Sequence, residues 1–252
     1  MAEGAPRAAA SGGSFDPAIP LPHRIIGVIG GMGPAATVEF MRRIIEATPA
    51  QDDCDHIHLV VDQNPKIPSR LGALAPGGAT SPEAEIVRAA RSLESAGATL
   101  LAMPCNTAHA YAPAITAAVA IPFLNLVDLA AARMAAIAPG GRIGVLASPA
   151  TAWQGLFDAA FAAAGLRIWH WRDEPHLAEL ILAIKANGAS PPVVAEIQKI
   201  ASRLAEGCDA LLVACTEFSL AAPMIEVSCP IHDALDILVD AVVSYGTGCD
   251  RS

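Results

Sequence analysis

Residues 97–107 read Gly-Ala-Thr-Leu-Leu-Ala-Met-Pro-Cys-Asn-Thr, and residues 207–216 read Gly-Cys-Asp-Ala-Leu-Leu-Val-Ala-Cys-Thr, one residue shorter. Each is an apolar run of strand length, closed by a Cys and then a Thr that can cap a following helix. A second pair lies upstream of each: Ile26-Gly27-Val28-Ile29 and Ile143-Gly144-Val145-Leu146. Chance supplies two such strands easily. It is a poor account of a Cys at the same strand end in both halves. The chain therefore reads as α/β, with two similar lobes related by pseudo-two-fold symmetry.

Working outward, strands are expected at Arg24–Gly30, His56–Asp62, Ala98–Met103 and Pro122–Val127. Helices are expected at Ala35–Ala47, Pro82–Ala96 and Thr107–Val119, with a Pro/Gly-rich loop over Gln63–Gly78. After Pro139-Gly140-Gly141 the series restarts. Strands are expected at Arg142–Ala147, Arg167–Trp171 and Asp209–Ala214, and helices at Ala150–Ala164, Pro175–Ala186, Pro192–Glu206 and Leu235–Tyr245. Strands alternating with helices imply right-handed crossovers, so each lobe should be a parallel sheet with helices on both faces. The expected division is a disordered Ala/Gly/Pro/Ser leader at 1–23, a first lobe at 24–126 plus 232–252, and a second lobe at 127–231.

The 252 residues carry a formal net charge of −9, with basic residues scattered and only Lys66, Lys185 and Lys199 as lysines. That excludes nucleic acid as an expected partner, because phosphate binding needs clustered cations. A small anionic ligand needs only a few placed cations. Thr99–Val127 has no Asp, Glu, Lys or Arg, but Pro104, Pro113 and Pro122 interrupt it, so no membrane-spanning helix is expected there. The six cysteines lack C-x-x-C or Cys/His zinc spacing, so they read as reduced thiols of a cytoplasmic protein with no metal site.

Ligands of parallel α/β sheets bind beyond the carboxyl ends of the strands, where Cys105 and Cys215 both fall. Helix N-termini there present free N–H groups that bind carboxylates and lower a thiol's pKa. Two lobes facing each other would set these thiols on opposite sides of one cleft, an arrangement suited to removing a proton from one face of a carbon and returning one to the other. A lone Cys at a strand end is ordinarily an inert small apolar residue. That bland reading is kept for Cys54, Cys208, Cys229 and Cys249.

Four ordered motifs now matter: Gly30-Gly31-Met32-Gly33-Pro34-Ala35-Ala36-Thr37, Asn64-Pro65-Lys66-Ile67-Pro68-Ser69-Arg70, Met103-Pro104-Cys105-Asn106-Thr107-Ala108-His109 and Ala214-Cys215-Thr216-Glu217. Together, over residues 24–245, they resemble the aspartate/glutamate racemase family that works without pyridoxal phosphate. Cys-Thr-Glu is similar to its aspartate-racemase branch. The resemblance implies an acid/base pair of Cys105 and Cys215 acting at Cα, a cleft between lobes, and a homodimer. Lys185 resembles the family lysine that meets the substrate's distal carboxylate. Ser148 falls in a second-lobe motif that is usually Thr-rich. Ser69 and Leu71 flank Arg70 where the family has an acidic residue and Thr, and Phe218-Ser219 replaces Leu-Pro.

The residues themselves suggest the remaining roles. Gly31-x-Gly33-x-x-Ala36 after a strand also fits a dinucleotide fingerprint, but Pro34 sits inside it and Asp62 comes late. Backbone N–H groups at Met32 and Gly33 holding a substrate carboxylate are the better account. Arg70 suits a bidentate carboxylate pair, while Asn106, Thr107 and Thr216 suit the α-amino and α-carboxylate groups. Glu217 suits the substrate ammonium, and His109 is expected to be structural. The expectation is a cofactor-independent isomerase that racemises aspartate, glutamate or a close relative. Its alternatives are a maleate isomerase, hydantoin racemase or arylmalonate decarboxylase reaction on the same scaffold, or a non-catalytic amino-acid-binding protein.

Overall fold

The repeat becomes two parallel sheets in the computed structural model, which describes residues 19–74, 78, 80–171 and 173–249. The first half runs β1 (Ile25–Gly30), α1 (Pro34–Ala47), β2 (His58–Gln63), α2 (Arg70–Leu74), α3 (Glu83–Ser95), β3 (Leu100–Ala102), α4 (Ala112–Ala118) and α5 (Leu126–Ile137). The second continues with β4 (Arg142–Ala147), α6 (Pro149–Trp153), α7 (Asp158–Ala163), β5 (Arg167–His170), α8 (Glu174–Asn187) and α9 (Pro191–Ala205). It ends with β6 (Ala210–Ala214), α10 (Thr216–Ser219), β7 (Ile231–Asp233) and α11 (Ala234–Thr247). Residues 1–18 of the expected leader lie outside the described residues, and Leu21–His23 form a single 3-10 turn.

The sheets share one plan. Their orders are β2-β1-β3 and β5-β4-β6-β7, all pairs parallel, with β1 and β4 central. The matching strands also close in the same way. The Ile25 N–H donates to Thr99 Oγ1 at 2.9 Å, and the Arg142 N–H donates to Asp209 Oδ2 at 2.7 Å. Gly27 and Gly144 hold the equivalent central place. A Cβ on Gly27 would lie 2.7 Å from Leu101 Cδ2, and one on Gly144 would run into the matching Leu211. Both glycines let a helix and a neighbouring leucine close onto the central strand.

Side-chain alternation along the strands divides the interior into three layers. Ile26 and Val28 of β1, with Ile143 and Val145 of β4, point into one core between the sheets, which α1, α5, α7 and α11 help to fill. Ile29 and Leu101 point the other way, onto Ile86 and Leu93 of α3. Leu146, Leu211 and Val213 likewise meet Ile181 and Ile184 of α8 and Ile200 and Leu204 of α9. Helices thus cover both faces of each sheet, and a single core joins the two.

Several expected boundaries change. The expected strand Pro122–Val127 is a single bridge, Leu101 to Phe123, because Asn125 turns the chain into α5 by accepting the Val127 N–H at 3.1 Å. The expected helix Thr107–Val119 is a 3-10 turn over Thr107–Tyr111 and then α4, since Pro113 has no N–H with which to continue the ladder. The expected helix Ala150–Ala164 breaks at Gly155, which takes a left-handed φ of 54°. Helices α2 and α5 and strand β7 were not anticipated.

Candidate active site

The carboxyl ends of β1, β3, β4 and β6 converge on one pocket of about 470 Å³, a volume that includes its open mouth. After β1 the chain turns at Gly31, whose φ of 89° and close approach to the Asn64 backbone both require glycine. Thr37 Oγ1 fixes that turn, accepting the Gly31 N–H at 2.9 Å and donating to the Gly33 carbonyl at 3.2 Å. Gly33 then starts α1 with Pro34 in the first turn. Without a Cβ on Gly33, Glu217 Oε1 comes close: it would stand 3.5 Å from such a carbon.

Arg70 opens α2 and folds back over this turn. Its Nη2 donates to the Met32 carbonyl at 2.8 Å and its Nη1 to the Pro68 carbonyl at 3.2 Å, while Nε is buried without a partner. Asn106 carries two more such atoms: both its Oδ1 and Nδ2 are buried and unpaired, although the residue is only 2% exposed. Buried polar groups are nearly always satisfied. The Arg70 and Asn106 side chains both line the pocket, so a polar ligand there would find one unpaired guanidinium N–H and an amide, not the bidentate fork expected of Arg70, whose Nη atoms are held by backbone carbonyls.

Cys105 and Cys215 line the same pocket, each 5% exposed. The Cys105 carbonyl accepts from His109 Nδ1 at 2.9 Å, and the His109 ring stacks on Phe123 at 5.4 Å between centroids. Burial holds His109 down at a pKa of about 4, so the ring is neutral and packs behind Cys105. Cys215 precedes the single turn of α10, and its Sγ donates to Glu217 Oε2 at 3.3 Å. Glu217 Oε1 in turn lies 3.5 Å from Lys185 Nζ on α8. The expected lowering of the thiol pKa by a helix N-terminus is overturned at Cys215. Backbone N–H groups of Glu217 and Phe218 do pull it down, but burial and the Glu217 charge outweigh them, and the thiol is pushed well up.

Across the pocket three hydroxyls close a triangle. Thr107 Oγ1 lies 2.9 Å from Ser148 Oγ and 2.8 Å from Thr151 Oγ1, which are themselves 2.9 Å apart. Thr107 follows β3 and Ser148 caps α6 after β4, so the triangle ties the ends of the two sheets beside the pocket.

Of the residues singled out from the sequence, Met32, Arg70, Cys105, Asn106, Thr107, Ser148, Lys185, Cys215, Thr216 and Glu217 line this pocket. Gly33 lines the adjoining groove, where Arg70, Lys185, Thr216 and Glu217 appear again. Ser69 and Leu71, the residues that flank Arg70 where the family differs, complete the pocket wall with Ala150 and Ile181, and the last two were missed. Thr151 was also missed as a site residue, although its place three positions after the capping Ser148 is a readable signal. Among the described residues no three His, Cys, Asp or Glu side chains gather as a metal set would, and no helix is long and apolar enough to cross a membrane.

The Asp/Glu/Hydantoin racemase family model matches residues 29–242. A broad specificity amino-acid racemase of Bacillus subtilis is 26% identical over 227 residues, 87% of this chain and 97% of that protein. The solved aspartate racemase of Picrophilus torridus aligns with a TM-score of 0.77 at 29% identity, covering 88% of this chain and 94% of its own. A glutamate racemase of Francisella tularensis, solved with D-glutamate, shares the fold with a TM-score of 0.60 at 15% identity, covering 92% of this chain and 96% of its own.

Proposed function

The chain belongs to the Asp/Glu/Hydantoin racemase family, and from that premise we propose an amino-acid racemase that inverts Cα between Cys105 and Cys215 without a cofactor. The observation that carries this reading is the shared pocket: two thiols from equivalent strand ends of two related sheets line it together with Arg70 and Lys185.

One thiolate takes the Cα proton, leaving an electron pair that spreads into the α-carboxylate. The opposite thiol then gives its proton to the other face, and the two sulfurs end with their protonation states exchanged. The developing charge needs donors aimed at the carboxylate. Arg70 Nε, the Asn106 amide, Thr216 and the backbone of Met32 and Gly33 are the groups available for it. Thr107 and Ser148 border the same space. The substrate ammonium falls to Glu217, and bringing a cation there offsets the charge that holds the Cys215 thiol protonated. Lys185, half exposed beside Glu217, is the cation for a distal carboxylate, so the substrate class is an acidic amino acid.

The proposal extends to a cytoplasmic homodimer. Six free thiols suit a reducing compartment, and Val38 and Ile45 leave an apolar stripe exposed along α1. The test is incubation of the reduced protein, with no added cofactor or metal, with L- and D-amino acids in D2O, read by proton NMR. Loss of the Cα proton signal of aspartate or glutamate supports the reading. A folded, reduced sample that exchanges no amino acid of the panel rejects it.

A further inference from the structure

Helix α10 is a single turn, Thr216–Ser219. A helix this short fixes too many dihedrals for its few hydrogen bonds to stand alone, yet Cys215 and Glu217 both depend on it for their placement. What holds it lies at its far end. The Ser219 N–H donates to the Cys215 carbonyl at 3.0 Å, closing the turn. The Ser219 carbonyl accepts from Arg43 Nη2 at 2.7 Å, and the Ser219 hydroxyl donates to Asp233 Oδ1 at 2.7 Å.

Arg43 and Asp233 are themselves locked together. Arg43 Nη1 donates to Asp233 Oδ2 and to Asp236 Oδ1, each at 2.7 Å, and Arg43 Nε donates to Glu39 Oε1 at 2.7 Å. Arg43 is 8% exposed and Asp233 is 6% exposed. The guanidinium is thus held on three sides, and its remaining nitrogen is aimed at one backbone carbonyl. It belongs to α1, in the layer between the sheets, whereas Cys215 follows β6 of the second. A positive charge at a helix C-terminus also favours the helical arrangement of its carbonyls.

We propose that Arg43 and Asp233 are positioning residues that set Cys215 against Glu217 by clamping Ser219 at the other end of α10. The proposal rests on the reading of Cys215 as a reacting thiol. Neither Arg43 nor Asp233 lines the pocket, so both act on the chemistry only through the backbone of one helical turn. Register between the two sheets is thereby transmitted to one thiol and not to the other, since Cys105 lies in the loop between β3 and a separate 3-10 turn, and the bonds of the clamp do not include it.

Two variants test this. Ser219→Ala removes the hydroxyl link and leaves the Arg43–Asp233 pair intact, while Arg43→Lys keeps the charge but cannot reach all four acceptors. Each protein is alkylated with iodoacetamide in the absence of substrate, and the rates at Cys215 and Cys105 are read by peptide mass spectrometry. In both variants the ratio of Cys215 to Cys105 alkylation should rise at least about threefold, as the turn loosens around a buried thiol. Turnover should fall about tenfold and KM should rise, because α10 also carries Thr216 and Glu217, the groups assigned to the substrate carboxylate and ammonium. An unchanged alkylation ratio in both variants overturns the proposal, whatever happens to turnover. So does a parallel rise at both thiols, which marks general loosening. Because the ratio is read without substrate, a protein that fails to racemise still reports on the clamp.

Discussion

Cys215 Sγ donates to Glu217 Oε2 across 3.3 Å, so a buried thiol is hydrogen-bonded to a carboxylate only two residues further along the chain. Burial favours the protonated thiol most, and the carboxylate charge and the hydrogen bond add to it. Glu217→Gln keeps the shape and removes the charge. It also frees the Lys185 cation, which acts in the same direction. The pH profile of iodoacetamide alkylation at Cys215 should therefore move to lower pH in Glu217→Gln. A profile that stays in place, or moves up, would show that Glu217 does not hold the proton on sulfur.

Single-thiol variants should separate exchange from inversion. Under a two-thiol mechanism, Cys105→Ala leaves Cys215 able to remove and return a proton on its own face of Cα. Solvent deuterium should enter one enantiomer while inversion falls at least about 100-fold, the scale of a lost general acid. Cys215→Ala should give the mirror result. Proton NMR in D2O and optical rotation, followed together, check both, and full racemisation by either variant would falsify the paired-thiol mechanism.

Lys185→Ala should discriminate among substrates. Its side chain is 46% exposed, so solvent screens it and the loss for a dicarboxylic amino acid should be about tenfold in kcat/KM, not the larger loss of a buried pair. Alanine, which has no distal carboxylate, should lose much less. Steady-state kinetics on aspartate and alanine test this, and equal losses on both would remove the distal-carboxylate role.

His109 makes a prediction about stability and pH. Its folded pKa of about 4 lies below the ordinary value of 6.5, so between these values the unfolded chain binds a proton that the fold refuses. The contribution is complete above pH 6.5 and is lost as pH falls toward 4, to a total of roughly 3 kcal/mol. A His109→Gln variant cannot titrate, so its urea midpoint should fall less between pH 7 and pH 5 than that of the parent protein. Parallel falls would place the acid sensitivity elsewhere.

Repetition made the fold legible. Gly27 and Gly144, and the strand ends at Cys105 and Cys215, recur because each lobe solves the same packing problem, and local pattern is enough to see it. The pocket's strand-end residues were readable for the same reason. What local pattern could not show was tertiary. Helix α5 carries its apolar residues almost all round, so it has little periodic signal, and it makes sense only as filling between two sheets. Strand β7 is three residues long, and its pairing with β6 over Leu211 to Ile231 is not local in sequence. The raised thiol pKa of Cys215 was hidden because helix-start chemistry is visible in a motif and burial is not. The Arg43–Ser219 bond joins residues 176 positions apart, which no spacing rule reaches.

The core shared between the sheets also bears on how a ribosome must deliver this protein. Ile26 and Val28 leave the exit tunnel long before α11, yet the side of β1 that they form packs into a layer built with Leu235, Leu238 and Val242 of that helix. Each aliphatic side chain buried there contributes roughly 1.5–3 kcal/mol relative to exposure, so several together rival the whole margin of a folded domain. A nascent chain halted before residue 234 holds both sheets with α1, α5 and α7, but lacks the α11 share of the layer between them. Chains whose units close in order can finish each unit during synthesis, whereas here the layer shared by the sheets stays incomplete until α11 arrives. The layer between the sheets closes only when residues 234–247 have joined it.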